Sequence, residues 1–281
     1  PTATAPASTV ATGAATTAVL VGAGDIATCD GTADSRTAAL VERTPGTVFT
    51  LGDNAYPDGR RGDFRRCYGP TWGRFAHRTR PTVGNHEYHT AGAADYFDYF
   101  GAAAGPRGRG YYSYDLGSWH VVVLDSNCTR VRGGCATGSP QQRWLRADLT
   151  ASRARCTVAM IHAPLFTSAR VHPPATETRP LVQTLYDAGV ELLLAGHNHM
   201  YERFAPQTPA GRRDTARGIR AFVVGTGGAA LYPTGKVAPN SEVRNSRTFG
   251  VLRLQLSTDT YRWAFLHTAG TFDDNGTGTC H

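Results

Sequence analysis

The sequence predicts an α/β fold in which two mixed β-sheets pack as a sandwich and are flanked by helices. Three observations support this prediction. From Ala18 onward, short β-rich runs alternate with helical segments, as in β-α-β units. The later part of the chain contains strand patterns that predict antiparallel pairing. The length of 281 residues is long for one average domain and short for two, which suits a single large core.

The first elements form two consecutive α/β patterns. Apolar runs at 18–25 and 47–53 predict strands on either side of a helix from about Asp34 to Glu42. The second pattern comprises a helix around 70–76, a strand at 80–87 and a helix around 94–100. Each predicted strand is followed by a polar loop, so the loops at the strand ends are the first place to look for functional residues.

The remaining elements begin with a hairpin at 110–126 that turns at 116–118. A helix follows at 139–152, because Ser139 suits the N-cap and Pro140 suits the first helical position. Further predicted elements are a helix from about Arg179 to Ala188 and strands that begin near 156, 190, 219, 249 and 261. The last two strands would lie antiparallel in one of the two sheets.

The composition excludes several classes of protein. Hydrophobic residues make up 41% of the chain and charged residues 18%, which is typical of a globular protein rather than a disordered or fibrous one. No apolar run reaches the roughly 18 residues that a membrane-spanning helix needs. The net charge of +7 alone would favour a polyanion, but Lys236 is the only lysine and no nucleic-acid-binding motif is present. We therefore expect no nucleic-acid polymer as a stable partner, and the sequence predicts no particular oligomeric state.

The six cysteines are even in number and contain no C-x-x-C pair, which favours disulfides over a zinc site. Cys128 and Cys135 are close enough in sequence to close a small loop, so we expect them to pair. For the other four cysteines, Cys29–Cys67 and Cys156–Cys280 are one choice among the fifteen pairings that six cysteines allow.

Residues 1–17 consist almost entirely of Ala, Thr, Pro, Ser and Gly, which is typical of a flexible leader on a mature exported chain. We therefore divide the chain into a leader, 1–17, and a single catalytic domain, 18–281. No internal repeat or linker divides that domain. Together with the cysteine count, this predicts a secreted, extracellular protein whose signal peptide has been removed.

Residues that bind metals in proteins follow five of the predicted strands: Asp25, Asp53, Asn85, His162, and the pair His197 and His199. Because sites assemble at the carboxyl ends of strands, we expect these side chains to converge. A glycine precedes four of them, which allows close approach of the backbone. The mixed oxygen and nitrogen ligands favour iron, zinc or manganese over calcium. They exceed the needs of one ion, so the sequence predicts two metal ions about 3.5 to 4 Å apart and phosphoester hydrolysis.

The motifs that carry these residues are GDIATCD, GDNAY, GNHE, HAPLF and GHNHMYER, which span residues 24–203. Their order resembles the motif series of calcineurin-like metallophosphoesterases. Tyr56, three residues after Asp53, resembles the tyrosine that binds ferric iron in the purple acid phosphatase branch. The resemblance implies the metallophosphoesterase fold and the small, single-domain, secreted bacterial form of that branch.

The resemblance also implies a role for each residue. Asp25, Tyr56 and His199 would hold Fe(III), whereas Asn85, His162 and His197 would hold Fe, Zn or Mn, and Asp53 would bridge the two ions. His86 would contact the substrate phosphate or protonate the leaving oxygen, and His172 is a second candidate for this catalytic work. Glu87 is expected to orient a ligating histidine. The glycine-rich segment 225–232 is expected to form a tight loop at the rim of the site.

These features predict a hydrolase that cleaves phosphate monoesters of small molecules by attack of a metal-bound hydroxide. The alternative is a phosphodiesterase that uses the same metals on nucleotide, glycerophosphodiester or phospholipid substrates, since pocket walls decide ester preference. A third hypothesis is a non-catalytic phosphate-binding or cell-surface module. Such a module is expected to have lost a ligand, whereas none of the seven is missing here.

Overall fold

The computed structural model describes residues 17–281, in which thirteen strands form two mixed sheets. The first sheet contains, in spatial order, β13 (Asn275–Thr279), β12 (Thr260–His267), β11 (Gly250–Leu256), β1 (Ala18–Ala23), β2 (Thr47–Thr50) and β3 (Thr79–Arg80). Strands β1, β2 and β3 are parallel to one another, while β11, β12 and β13 are antiparallel to their neighbours. The predicted leader lies outside the described residues except for Thr17.

The second sheet contains, in spatial order, β10 (Ser241–Asn245), β8 (Tyr201–Phe204), β9 (Arg220–Val224), β7 (Leu192–Ala195), β6 (Cys156–Met160), β5 (Trp119–Val123) and β4 (Tyr112–Leu116). Its four middle strands β5, β6, β7 and β9 are parallel, and β4, β8 and β10 are antiparallel additions. Both sheets are therefore mixed, and the predicted fold class is confirmed.

The main core lies between the sheets. Leu20 of β1 and Leu254 of β11 belong to the same buried cluster as Val158 of β6 and Leu194 of β7. The other face of the second sheet is buried as well, under α4 (Pro140–Ala151) and α5 (Arg179–Asp187). Burial on both faces explains why the middle strands of this sheet are continuous apolar runs.

The remaining helices are α1 (Ala33–Glu42), α2 (Arg61–Asp63) and α3 (Ala94–Phe100). Helix α1 packs against β11 and β12 of the first sheet. The predicted start of α4 is confirmed, because the Ser139 side chain accepts the backbone N–H of Gln142 at 3.2 Å and Pro140 is the first helical residue. None of the helices in the described residues combines the length and the apolar character that a membrane span requires.

One predicted strand is wrong for most of its length. Of residues 80–87, only Arg80 belongs to β3, and the chain then runs irregularly into a 3-10 turn at Glu87–His89. The side chain of Asn54 donates to the Thr82 carbonyl, and the Glu87 carboxylate accepts the N–H of Gly84. Side chains therefore satisfy backbone groups that a neighbouring strand would otherwise pair.

The other differences are smaller. The predicted helix at 70–76 is a 3-10 helix at Trp72–Arg78, and a five-residue π-helical turn, Phe64–Tyr68, precedes it. Strands β8, β10 and β13 were not predicted, since they are short or lack regular apolar alternation.

All three expected disulfides are present: Cys29–Cys67, Cys128–Cys135 and Cys156–Cys280. The third joins the first residue of β6 in the second sheet to the residue that follows β13 in the first sheet. It therefore links the two layers of the sandwich covalently.

Candidate metal centre

The structure brings all seven predicted ligands into one cluster at the carboxyl ends of the strands. Asp25 and Asp53 follow β1 and β2 of the first sheet, while His162 and the His197–His199 pair follow β6 and β7 of the second. The cluster therefore lies across the edge where both sheets present their strand ends, as expected for an open α/β arrangement.

The distances divide these residues into two groups that share Asp53. In one group, His162 Nε2 lies 2.9 Å from Asn85 Oδ1, 3.1 Å from His197 Nδ1 and 3.3 Å from Asp53 Oδ2. Ligand atoms of Asp53, His162 and His197 all lie within 4.8 Å of one another.

In the second group, the Tyr56 hydroxyl lies 3.2 Å from Asp25 Oδ1 and 3.1 Å from His199 Nε2. Asp25 Oδ1 is also 3.3 Å from His199 Nε2, and the hydroxyl is 3.3 Å from Asp53 Oδ2. The Asp53 carboxylate thus contacts members of both groups.

The backbone at this cluster is strained. Asp25, Asp53 and His197 have positive φ angles of 59°, 47° and 67°. Such left-handed conformations are unfavourable for residues with a Cβ and persist where the surrounding structure enforces them, often at functional sites.

The glycines that precede the ligands allow neighbouring loops to approach the backbone closely. A Cβ at Gly84, which precedes Asn85, would lie 2.1 Å from Asp53 Oδ1. A Cβ at Gly196, which precedes His197, would lie 2.9 Å from Asp25 Oδ2. Each glycine therefore makes room for a loop that carries a ligand carboxylate, and a Cβ at Gly196 would also lie 2.6 Å from the Leu51 carbonyl oxygen.

Backbone carbonyls orient two of the histidines. His162 donates from Nδ1 to the Leu51 carbonyl at 2.7 Å, and His199 donates from Nδ1 to the Ala230 carbonyl at 2.6 Å. These bonds fix the tautomer and leave Nε2 of both rings free to face the cluster, which is the usual arrangement of a ligating histidine.

The charges of the cluster favour bound cations. Burial opposes the charged form of His162, but the Asp53 carboxylate outweighs it and raises the pKa of His162 to about 10. Burial, followed by the Asp53 and Asp25 carboxylates, raises the pKa of Tyr56 well above its ordinary value. Among the described residues, Asp25 and Asp53 form ion pairs with histidines and with no Arg or Lys. Two buried carboxylates with no Arg or Lys partner would be neutralised by bound metal ions. Such ions would replace the protons of the His162 imidazole and the Tyr56 hydroxyl.

The model for the family described as calcineurin-like phosphoesterase matches residues 20–201, which include all seven ligands of the cluster. The chain belongs to this family. The family implies two metal ions, and the donor set described above fits them.

This calcineurin-like phosphoesterase resembles purple acid phosphatase 21 of Arabidopsis thaliana. The two are 29% identical over an alignment that covers 83% of this chain and 56% of that protein. A purple acid phosphatase from yellow lupin (Lupinus luteus) seeds has the same fold, with a TM-score of 0.75 and 17% identity over 95% of this chain and 54% of that one. A dimetal phosphatase from Danio rerio has a TM-score of 0.64 and 16% identity over 94% of this chain and 99% of that one. The chain spans about half the length of the plant relatives it matches. The predicted resemblance to the purple acid phosphatase branch is confirmed.

The two predicted catalytic histidines of this phosphoesterase contact different ligand residues of the cluster. The His86 ring packs on the Tyr56 ring with centroids 4.5 Å apart, and His86 Nε2 is 3.8 Å from Asp53 Oδ2. The His172 ring stacks on the His197 ring with centroids 4.2 Å apart, and burial lowers the pKa of His172. Both rings are partly exposed and border the ligand cluster.

Glu87 was expected to orient a ligating histidine, and this expectation is wrong. Its buried carboxylate accepts the backbone N–H groups of Asp53 at 3.1 Å, Asn54 at 2.7 Å and Gly84 at 2.7 Å, and no ligating histidine. Glu87 therefore holds together the two loops that carry Asp53 and Asn85, rather than turning an imidazole.

Sequence reasoning missed Tyr232. Its ring stacks on the His199 ring with centroids 3.9 Å apart and planes 7° apart, and its N–H donates to the His199 carbonyl. The segment 225–232 does border the site, because Ala230 accepts the His199 imidazole hydrogen bond. A tyrosine at the end of a glycine-rich rim segment was the one available signal.

Proposed function

We propose that this chain is a binuclear-metal hydrolase that cleaves phosphate monoesters of small molecules, similar to purple acid phosphatases. The observation that carries the proposal is the convergence of seven donor residues into two groups that share Asp53. A phosphoester hydrolase that works with two neighbouring metal ions needs this kind of donor arrangement. No ligand of the set is displaced from the cluster, which argues against the non-catalytic module.

Under this proposal, Asp25, Tyr56, His199 and Asp53 would hold Fe(III), and Asn85, His162, His197 and Asp53 would hold Fe, Zn or Mn. When bound, such a metal pair supplies an activated water nucleophile and neutralises charge on the phosphoryl group. The protein residues fix the donor atoms through Leu51, Ala230 and Glu87, so little reorganisation is needed during the reaction.

His86 and His172 would act at the mouth of the site. The backbone N–H of His86 donates to Asp53 Oδ1 at 2.9 Å, which anchors the residue, while the His86 ring stays partly exposed. From that position the imidazole can donate a hydrogen bond to the phosphate or a proton to the leaving oxygen. His172 lies against His197 and would contact the substrate from there.

The test of the reaction is the ratio of kcat/KM for 4-nitrophenyl phosphate to that for bis(4-nitrophenyl) phosphate, measured with metal-loaded protein. We expect the monoester to be preferred. H162N should lower kcat/KM at least about a hundredfold, because a ligand is lost, whereas H77N at an exposed position should not. A preference for the diester would instead support the phosphodiesterase alternative, and no hydrolysis of either ester would refute both.

The assignment of iron to Tyr56 has a spectroscopic test. A tyrosinate bound to ferric iron absorbs visible light, so the iron-loaded protein should show a visible band that Y56F lacks. Y232F is the matched control, because Tyr232 contacts His199 by stacking and is not a proposed ligand. An active, iron-loaded protein without such a band would contradict the assignment.

We also propose that residues 18–281 form one catalytic domain and that the protein is secreted. The shared core between the sheets and the Cys156–Cys280 bond support the single domain. The three disulfides, with no free cysteine among the described residues, support an oxidising compartment. Titration of the native protein should find no free thiol.

A further inference from the structure

Two segments beside the metal centre pair with each other and form one wall. Ala169 and Thr234 make an antiparallel bridge, and the Gly235 N–H donates to the Ser168 carbonyl at 2.6 Å. Glu202 is fully buried and its carboxylate accepts the Ser168 N–H at 2.7 Å. The backbones of the two segments are therefore held to each other and, through Glu202, to β8.

Two rings of this wall reach the metal centre. His172 stacks on His197, and Tyr232 stacks on His199, as described above. The centroids of His172 and Tyr232 are 5.7 Å apart. Together these rings form an aromatic surface that borders both groups of proposed ligands.

Val171 is an exposed apolar residue in the same segment. It is the sequence neighbour of His172, and the Ala169–Thr234 bridge, followed by the bond from the Arg170 N–H to the Pro233 carbonyl, sets a register in which the Val171 backbone comes opposite Tyr232. Its relative exposure is 47%, and Val237, at 52%, is the other exposed large hydrophobic residue in the part of the chain that the structure describes. Val237 lies beyond Thr234 in the chain, on the opposite side of the bridge from Tyr232.

We propose that Val171 and Tyr232 form a leaving-group subsite that selects phosphate esters of apolar alcohols. The inference rests on the proposed function, because a phosphate held at the metal centre positions the alcohol part of the ester against this wall. Contact with the rings and the valine removes apolar surface of both partners from water, which is favourable in proportion to the area covered. A short polar alcohol gains no such contact.

The test uses ethylphosphonate and hexylphosphonate, which keep the phosphate-like dianion and cannot be hydrolysed at an ester bond. Their dissociation constants are measured by calorimetry on the full chain loaded with manganese. Four additional methylenes, partly buried, should make hexylphosphonate bind about tenfold more tightly than ethylphosphonate. V171S and Y232S should reduce the ratio of the dissociation constant of ethylphosphonate to that of hexylphosphonate severalfold. Y232F, which keeps the ring, should preserve this ratio. V237S is the matched control and should leave the ratio unchanged.

Equal affinities of the wild-type protein for the two phosphonates would overturn the subsite, and so would an equal loss of the ratio in V171S and V237S. Failure of both phosphonates to bind would also overturn it. A clear preference for hexylphosphonate in a protein that hydrolyses neither nitrophenyl ester would support the subsite while refuting the proposed function.

Discussion

At the scale of single residues, the metal centre depends on glycines that leave space for carboxylates of other loops. Gly84 and Gly196 each adjoin one proposed ligand and accommodate the oxygen atoms of another, Asp53 and Asp25 respectively. At the other two Gly–ligand pairs, a Cβ at Gly52 would meet the His162 ring and one at Gly24 would meet Leu51, so all four glycines lie where another segment approaches the backbone closely.

The substitution G84A tests this packing. The new methyl group would lie 2.1 Å from Asp53 Oδ1 and must displace the shared carboxylate. We expect metal content to fall and kcat/KM to decrease about a hundredfold or more, because displacements near 1 Å have effects of that size. G31A is the control, since its Cβ would meet only the Thr28 hydroxyl, at 3.2 Å. Full metal content in G84A, measured by mass spectrometry, would contradict the argument.

Glu191, which is not part of the proposed metal centre, makes the stability of the protein depend on pH. Glu191 is 2% exposed, and its Oε2 accepts the Thr157 N–H at 2.7 Å while Oε1 has no partner. Burial, the largest cause, outweighs the backbone hydrogen bonds and raises the pKa of Glu191 to about 7. In the unfolded chain this pKa is about 4.3, so the folded state binds more protons between these values.

The contribution of Glu191 to stability should therefore fall as pH rises from about 4.3 to 7, and its ionised carboxylate should remain destabilising at higher pH. We expect E191Q to raise the free energy of unfolding by about 2 kcal/mol at pH 8 and to have little effect near pH 4. Urea unfolding at both pH values measures this, with E177Q at an exposed position as the control. A gain of equal size at both pH values would contradict the predicted titration.

At the scale of secondary-structure elements, α4 and α1 begin differently. The Ser139 side chain accepts a backbone N–H at the start of α4, whereas Thr32, at the same position of α1, makes no such bond. The pair allows the energy of one capping bond to be measured within a single protein.

We expect S139A to lower the free energy of unfolding by about 1 kcal/mol, the usual cost of losing a capping side chain. T32A should cost clearly less, because no capping bond is lost. Chemical denaturation of the two variants gives both values. Equal costs would show that the Ser139 bond does not contribute to stability.

Most element types followed from the sequence because their signals are local. The apolar runs of β1, β2, β6 and β7, the N-cap of α4 and the length of α3 depend on neighbouring residues alone. Residues 80–87 were predicted incorrectly: the Thr82 N–H still donates to the Thr50 carbonyl of β2, but the Thr82 carbonyl and the Gly84 N–H bond to the side chains of Asn54 and Glu87 instead of a strand. Strands β10 and β13 were missed because they are edge strands, whose residues need little apolar alternation.

At the scale of the whole molecule, the disulfides differ in what they join. Cys156–Cys280 closes a loop with a sequence separation of 124 and links the two sheets, whereas Cys128–Cys135 closes a loop with a separation of 7. A crosslink restricts the unfolded chain more strongly when the loop is longer.

Replacing both Cys156 and Cys280 by alanine should therefore destabilise the protein by about 5 kcal/mol in the chain-entropy model, and replacing Cys128 and Cys135 by about 2 kcal/mol. Urea unfolding gives the free energy of unfolding of each double variant. The two values are compared directly, because each variant lacks one disulfide. A larger loss for the Cys128–Cys135 pair would contradict the loop-length argument.

The sequence by itself predicted the α/β class, the Cys128–Cys135 bond and most of the donor residues, because a ligand that follows an apolar run is expected at a strand end, while Tyr56 was indicated by its motif. Tertiary structure decided how those donors divide around Asp53, how Glu87 joins the loops of Asp53 and Asn85, and how His172 and Tyr232 come to stack on ligand histidines. These contacts join residues that are far apart in the chain, and some of them, such as Asp53 with His162 and Asp25 with His199, join different sheets. Their distances are set by strand order and by the packing of one sheet on the other, which no local pattern of residues encodes.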